Sequence, residues 1–172
     1  MNTHKLVLIG VLTASAIVIA ILESFIPSIG IPGIKLGLAN IVILITIYEL
    51  GVMEAAFINI LRVVIVAVVR GTLLSMGFFM SLTGAFLSFA IMVLFALTIK
   101  KFSVIGVSVI GAIFHVVGQI LVAMIYLDSA YILFYLPVIA LSAIITGVLV
   151  GIIAQTVIRT GIIKRQREKY NF

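Results

Sequence analysis

Cysteine and tryptophan are absent from this sequence, and aspartate occurs once, as Asp128. Without cysteine the chain offers no disulfide, no thiolate nucleophile and no thiolate metal ligand. A single aspartate excludes an aspartate-rich magnesium site for diphosphate chemistry, and no GxxxxGK[ST] phosphate loop is present for ATP hydrolysis. No HExxH motif or other ligand set at metal spacing occurs. We therefore expect no metal, no cofactor and no enzymatic activity.

Charged residues are also scarce, at 9% of 172 residues, whereas they make up about a quarter of an ordinary soluble domain. The mean hydropathy is +1.47, and apolar runs long enough for membrane spans follow one another along most of the chain. This composition predicts an all-α integral membrane protein. The net charge of +6 does not indicate a nucleic-acid partner, because basic residues crowd the C-terminal tail, where membrane lipid is the expected partner.

The apolar runs predict six membrane segments in a single domain covering residues 1–172. The second and third segments are separated only around Gly51. One helix over both would be about 50 Å long, far more than the ~30 Å hydrocarbon core, so we predict two short helices with a tight turn. Residues 71–77 are a candidate loop. The predicted spans are 6–26, 36–50, 52–69, 73–99, 102–127 and 131–158, followed by a basic tail at 159–172.

Lysine and arginine positions predict the orientation, because both concentrate in cytoplasmic loops. With six spans, only Lys35 and Arg70 fall outside, and Arg62 lies within the third span. A five-span chain would place either the N-terminus or the basic tail outside. We therefore predict that both termini are cytoplasmic, together with Lys5, Lys100, Lys101, Arg159, Lys164, Arg165, Arg167 and Lys169.

Several polar side chains are predicted at membrane depth, where ionisable groups are costly. Arg62 is the strongest signal, with Asn59 one turn before it. Its guanidinium either pairs with Glu23 or a carbonyl, or awaits a carboxylate or phosphate in a water-filled cavity. Glu49 and Glu54 flank the predicted turn and are expected in the headgroup region.

His115 and Gln119 lie one turn apart on the fifth predicted span, near Gly111 and Gly118. A polar stripe beside glycines that permit close approach indicates a pocket wall, although a histidine satisfied inside a core is the alternative. Lys35, Arg62 and Arg70 together indicate an anionic group on any ligand.

The segment FIPSIGIPGIKLGLAN at 25–40 interrupts the apolar pattern. Pro27 and Pro32 end the first helix and hold the chain extended, and Gly33 permits a tight turn. Lys35 and Asn40 follow at the start of a helix, and helix N-termini favour anions. The segment predicts an outer loop that closes over an outward-facing pocket, and a plain hairpin connection is the alternative.

Small residues at four-residue spacing mark close helix packing. Two such stripes, Ala143-Gly147-Gly151 and Gly77-Ser81-Ala85, are expected to pack inside the bundle. A third stripe on the first span comprises Thr13, Ala16 and Ala20 and is expected to pack internally unless a partner covers it.

Four stretches resemble the Gx transporter family, which is also labelled heptaprenyl diphosphate synthase component I. They are PGIKLGLAN at 32–40, the Leu61-Arg62 pair, SLTGAFLS at 81–88 and GVSVIGAIFHVVGQ at 106–119. The family is related to the substrate-binding S components of energy-coupling factor (ECF) transporters. These are six-helix bacterial plasma-membrane proteins that bind a vitamin or precursor from outside. They work with a transmembrane coupling subunit and cytoplasmic ATPases.

The resemblance implies roles for individual residues. It places partner docking at Ala16 and Ala20, with Thr13 on the same stripe, and the gate at Pro27, Pro32 and Gly33. One departure is Val116, where the family pattern has asparagine after the histidine. The residues expected to contact substrate are Glu23, Lys35, Asn40, Asn59, Arg62, His115 and Gln119.

Two functions follow from the resemblance. The first is an ECF-type S component for a small anionic vitamin, quinone or isoprenoid precursor. The alternative is a non-catalytic membrane subunit of an isoprenoid-, quinone- or flavin-linked assembly for extracellular electron transfer. Synthase activity by this chain alone conflicts with its single aspartate.

Overall fold

The computed structural model describes residues 3–25, 35–99 and 102–170. These ranges contain α-helices, a 3-10 helix at Ala130–Tyr135 and no β-strand. Five helical regions are long and apolar enough to cross a membrane, so the chain is a multi-pass membrane protein. The helices are α1 (Thr3–Glu23), α2 (Asn40–Glu49), α3 (Val52–Val69), α4 (Met76–Thr98), α5 (Val104–Leu127), α6 (Leu136–Thr160) and α7 (Ile162–Tyr170).

Helix α2 departs from the predicted span at 36–50. The tight turn at Gly51 is confirmed, but α2 has 10 residues and is about 15 Å long, half of the hydrocarbon core. The apolar residues Leu38 and Ala39, which the sequence pattern assigned to the span, form a turn instead. Most of α2 is buried, and it packs against α1, α3, α4, α5 and α6. The described chain therefore combines five helical regions of membrane-crossing length with one buried helix of about half that length.

The observed loop between α3 and α4 confirms most of the prediction that residues 71–77 form a loop. Arg70 and Gly71 form a turn after α3. Ser75 then caps α4, because its Oγ accepts a hydrogen bond from the backbone N–H of Phe78 at 3.3 Å. Met76 and Gly77 already belong to the first turn of α4, which brings Gly77 to the loop end of that helix.

Glycines bring α4, α5 and α6 into backbone contact. A Cβ atom at Gly118 on α5 would lie 2.8 Å from the Cα of Gly84 on α4. Cβ atoms at Gly147 and Gly151 on α6 would lie 2.8 and 2.7 Å from α5 backbone atoms. The 143–151 stripe therefore packs inside the bundle as predicted. By contrast, a Cβ at Gly77 would meet only Ser75 Oγ, at 3.8 Å, so the 77–85 stripe is not tightly packed along its whole length.

Contacts between charged residues place both described chain ends at one end of the bundle. Lys5 in α1 pairs with Glu54 in α3 at 2.5 Å. In α7, Arg167 donates a hydrogen bond to the carbonyl oxygen of Glu49. Helices α1 and α3 therefore start together and run parallel. Their C-terminal ends lie at the opposite end of the bundle, which we call the far end.

Candidate functional site

A cavity of about 200 Å³ lies at the far end of the bundle. Its wall is built from the last turns of α1, the segment before α2, one face of α3, the loop that follows, the first turns of α4 and the middle of α5. Glu23, Lys35, Arg62, Arg70 and His115 are the titratable residues among its described lining. The cavity thus collects polar groups that are distant in sequence.

One face of α3 lines the cavity from its floor to its mouth. Arg62, Val66 and Arg70 recur at four-residue spacing, with Val63 and Ala67 beside them. Arg62 and Val66 are buried, whereas Arg70, the residue after α3, is exposed. The cavity is therefore deepest at Arg62 and open at Arg70.

The Arg62 guanidinium is held by two amide oxygens. Its Nε and Nη2 donate to Asn59 Oδ1 at 3.1 and 2.8 Å, and Nη2 also donates to Asn40 Oδ1 at 2.8 Å. The side chain is only 5% exposed. No carboxylate of the described residues lies within 4.0 Å of it, so the direct pair with Glu23, one of the two alternatives for Arg62, is not formed there. The described part of the chain supplies no acceptor for Nη1.

Asn40 and Asn59 lie behind Arg62 and do not line the cavity. Asn59 Nδ2 donates to the carbonyl oxygen of Ala85 at 3.0 Å, and Asn40 Nδ2 donates to Ser88 Oγ at 3.1 Å. Both acceptors belong to α4. The two asparagines therefore fix the guanidinium against α4, and the direct substrate contact predicted for them stays a prediction.

The predicted pocket stripe on α5 has two different roles. His115 lines the cavity, is 4% exposed, and its buried Nδ1 has no hydrogen-bond partner within the described ranges. Gln119 is buried outside the cavity wall. Its Oε1 accepts from the backbone N–H of Lys35 at 2.8 Å, and its Nε2 donates to the Lys35 carbonyl at 3.0 Å. Gln119 therefore anchors the backbone before α2.

Glu23 holds the same segment from the other side. Its carboxylate accepts a hydrogen bond from the backbone N–H of Gly37 at 2.5 Å. Gly37 has a φ of +81°, and a Cβ there would lie 3.1 Å from Asn40 Nδ2 and 3.3 Å from the His115 ring. A left-handed conformation and the lack of space both favour glycine at this position.

The charge balance of the cavity wall is positive. Lys35, Arg62 and Arg70 face one carboxylate, that of Glu23, among the described lining residues. Burial lowers the pKa of Lys35 below its usual value, Glu23 raises it, and Arg70 and Arg62 lower it further. A cation that is desolvated and crowded by other cations is stabilised when an anion enters.

A family model described as heptaprenyl diphosphate synthase component I matches residues 12–157. This range contains every described residue of the cavity wall. The chain belongs to this family. No curated protein and no solved structure matches the chain.

The described lining of the cavity contains one carboxylate, that of Glu23. Asp128, the single aspartate, ends α5 and is not a lining residue. In the described ranges, no group of three His, Cys, Asp or Glu side chains is placed to hold a metal ion. Family membership therefore identifies the protein's relatives, and the chemistry of the site follows from the cationic cavity.

The predicted gate lies outside the described residues. Pro27, Pro32 and Gly33 belong to 26–34, so their predicted role is not tested. The segment that follows is described, and Lys35 and Gly37 line the cavity. Gln119 and Glu23 attach this segment to α5 and α1.

The predicted docking residues are buried inside the bundle. Ala16 is 0% exposed, Thr13 and Ala20 are also buried, and the Thr13 hydroxyl donates to the Ile9 carbonyl at 2.8 Å. Ala20 packs near Ala39 and Val66. These small residues let α1 approach α2 and α3, and their role in partner docking stays a prediction. The exposed side of α1 carries Val7, Val11, Val18 and Leu22 instead.

Ala16→Trp is therefore expected to destabilise the bundle directly. The indole has no space at a fully buried position, and overpacking costs about 1–3 kcal/mol or more. The thermal unfolding midpoint in detergent should fall by several degrees, whereas Val18→Trp on the exposed side of the same helix should leave it nearly unchanged. Equal midpoints for the two variants would contradict this placement of α1.

Several lining residues were not singled out from the sequence. Val66, Ala67 and Thr72 line the cavity, as does Phe78 of α4. Helical spacing from Arg62 contained a signal for Val66 and Arg70, because residues four apart share a face. No comparable signal exists for Phe78, which reaches the cavity only through the packing of α4 beside α3.

Gln119→Met is expected to release the segment before α2. Methionine has a similar volume but replaces neither hydrogen bond to the Lys35 backbone, and each such bond contributes about 1 kcal/mol. Hydrogen exchange measured by mass spectrometry should become faster around residues 35–39. Unchanged exchange there would show that Gln119 does not anchor the segment. Gln155→Met on α6 serves as the matched control.

Proposed function

We propose that this chain is the solute-binding membrane subunit of an uptake transporter and that its cavity binds a small anionic solute. The observation that carries the proposal is the buried Arg62 guanidinium. It lines the cavity floor without a carboxylate partner among the described residues. The same cavity is lined by His115, whose buried Nδ1 also lacks a partner there.

The energetics of buried charge support an anionic ligand. A buried charge is costly unless it is paired, and amide oxygens satisfy hydrogen bonds without supplying counter-charge. Three cations and one carboxylate line the cavity. An incoming anion offsets the excess positive charge and gains hydrogen bonds from groups that are already oriented. A wall that served only for packing would not need these cations.

The positive-inside rule supports an orientation for this bundle. Lys5, Arg159 and the basic residues of α7 lie toward the end where the chain termini meet, and such residues concentrate on the cytoplasmic side. In this orientation the cavity opens to the outside of a bacterial plasma membrane. It then receives solute from the exterior.

The proposed energy source is a partner, in the manner of an ECF transporter. The sequence carries no phosphate loop for nucleotide hydrolysis. A transmembrane coupling subunit with cytoplasmic ATPases would supply the driving force for release inward. Because Ala16 and Ala20 are buried, the partner would contact exposed apolar positions such as Val11 and Val18.

Native mass spectrometry of the gently purified chain tests the binding proposal. A small anionic adduct is expected on the native chain and is expected to be lost in Gly77→Leu. A side chain at Gly77 extends from the cavity wall into open space and narrows the cavity without removing a charge. Gly10→Leu, where a Cβ would meet nothing within 4 Å, should retain the adduct. An adduct that survives in Gly77→Leu would place the solute elsewhere.

A second candidate is a non-catalytic membrane subunit of an isoprenoid-, quinone- or flavin-linked assembly, and the family description supports its isoprenoid part. Co-purification distinguishes it from transport. Stable recovery of redox or prenyl-transfer proteins without an ATPase would favour this second candidate. Recovery of a coupling subunit with ATPases would favour uptake.

A further inference from the structure

The cavity contains cations at two different depths. Arg62 lies at the buried floor and Arg70 at the exposed mouth. They are eight residues apart, a rise of about 12 Å along a helix. Asn40 and Asn59 tether the Arg62 guanidinium at the floor. The two cations therefore belong to different levels of the cavity wall.

The floor is built for one terminal acid group. Nε and Nη2 of Arg62 are occupied by the two asparagines, so Nη1 is the nitrogen that remains for a ligand. His115 contributes a buried Nδ1 without a partner in the described residues. This nitrogen accepts from an O–H or donates to an O⁻, depending on the tautomer. The two groups come from different helices and line the same cavity.

One side of the wall between floor and mouth is apolar, although Ser81 and Thr72 also line the cavity. Val66 lies one turn from each arginine, with Ala67 beside it and Ala20 on α1. Phe78 of α4 adds an aromatic ring to the lining. These apolar residues offer hydrogen bonds to a ligand only through backbone groups that their helices already use. They fit an apolar body.

The mouth carries a second concentration of positive charge. Lys35 lines the same cavity and is partly exposed, whereas Arg62 at the floor is buried. Glu23, the single carboxylate in the described wall, already accepts from Gly37.

We propose that the solute is an elongated organic acid with an anionic group at each end and an apolar body between them. One end binds at the floor between Arg62 and His115, and the other binds at the mouth beside Arg70 and Lys35. The apolar body lies along Val66 and Ala67. This inference rests on the proposed function, because it specifies the solute of the same cavity.

Isothermal titration calorimetry of the full chain in lipid nanodiscs tests the inference. The first probes are straight-chain α,ω-dicarboxylates of increasing length, and each is compared with the monocarboxylate of the same length. A second series compares the corresponding bisphosphonates with monophosphonates. A diacid of one intermediate length is expected to bind on the order of tenfold more tightly than its monoacid. Arg70→Gln should weaken diacid binding on the order of fivefold more than it weakens binding of the monoacid of the same length. Arg62→Gln should weaken both on the order of a hundredfold.

The outcomes separate this inference from the function on which it rests. The proposal of a two-ended solute would be wrong if monoacids bound as tightly as diacids. It would also be wrong if the Arg70→Gln variant kept the full diacid advantage. Neither result would contradict an anion-binding subunit. The two-ended solute would also be overturned if no diacid of either series bound. If no anion bound and the native chain also carried no solute in mass spectrometry, the proposed function would fall as well. Arg159→Gln, in the last turn of α6, is the control.

Discussion

Gly118→Ala is expected to lower the free energy of unfolding by about 2–3 kcal/mol, a large effect for one methyl group. The added Cβ would lie 2.8 Å from the Cα of Gly84, 2.8 Å from the Thr83 carbonyl oxygen and 2.9 Å from the Gly84 nitrogen. These are backbone atoms of α4, so the clash is not relieved by rotation of a side chain. The two helices must separate, and their other contacts loosen with them. Thermal unfolding in detergent followed by circular dichroism measures the loss.

Gly10→Ala is the matched control for this prediction. A Cβ at Gly10 would meet nothing within 4 Å, and alanine is favoured over glycine inside a helix by about 1 kcal/mol. This variant should unfold at the same temperature as the native chain or slightly higher. If Gly118→Ala were as stable as Gly10→Ala, the close approach of α4 and α5 would be wrong.

Arg62→Gln is expected to weaken solute binding on the order of a hundredfold while leaving the unliganded bundle as stable as before or more stable. Removing one partner of a buried charged interaction costs about 2–5 kcal/mol of binding. The empty protein, however, loses a buried cation without a carboxylate partner in the described residues, and this offsets the lost hydrogen bonds to Asn40 and Asn59. Solute binding is therefore expected to weaken, while the stability of the empty protein stays the same or rises.

Two measurements on the same variant separate the roles of Arg62. The dissociation constant of the solute found by native mass spectrometry reports binding, and the unfolding midpoint of the solute-free protein reports stability. If the midpoint fell strongly with binding unchanged, Arg62 would be a structural residue. Arg159→Gln at the opposite end of the bundle should change neither quantity.

Helix positions were predictable from the sequence where hydropathy alone decides the ends of a helix. Hydropathy predicted α3 with its observed bounds, because an apolar run of span length lies between Gly51 and the polar turn at Arg70 and fits one helix of that length. The same rule overextended α2. Its apolar run continues through Leu38 and Ala39, and the turn there depends on Gly37, whose backbone N–H is held by Glu23 from α1. Hydropathy contains no information on such a contact.

The candidate site was predictable by residue type and less so by role. Arg62 and His115 were singled out because polar groups at membrane depth are costly, and both line the cavity. Gln119 was singled out by the same reasoning and Asn59 by its position one turn before Arg62, yet Asn59 holds Arg62 and Gln119 holds the Lys35 backbone. Whether a polar side chain faces a cavity or a neighbouring helix depends on a rotation of only part of a turn.

The sequence by itself determined that this protein is an apolar helical membrane protein with a few costly polar groups, because composition and run length decide whether a helix is stable in lipid. The tertiary structure decided which of those groups share a cavity and which small residues are buried. Ala16 illustrates the difference, since its small size permits close packing against either a partner or its own bundle. Only the positions of α2 and α3 show that it is covered from within.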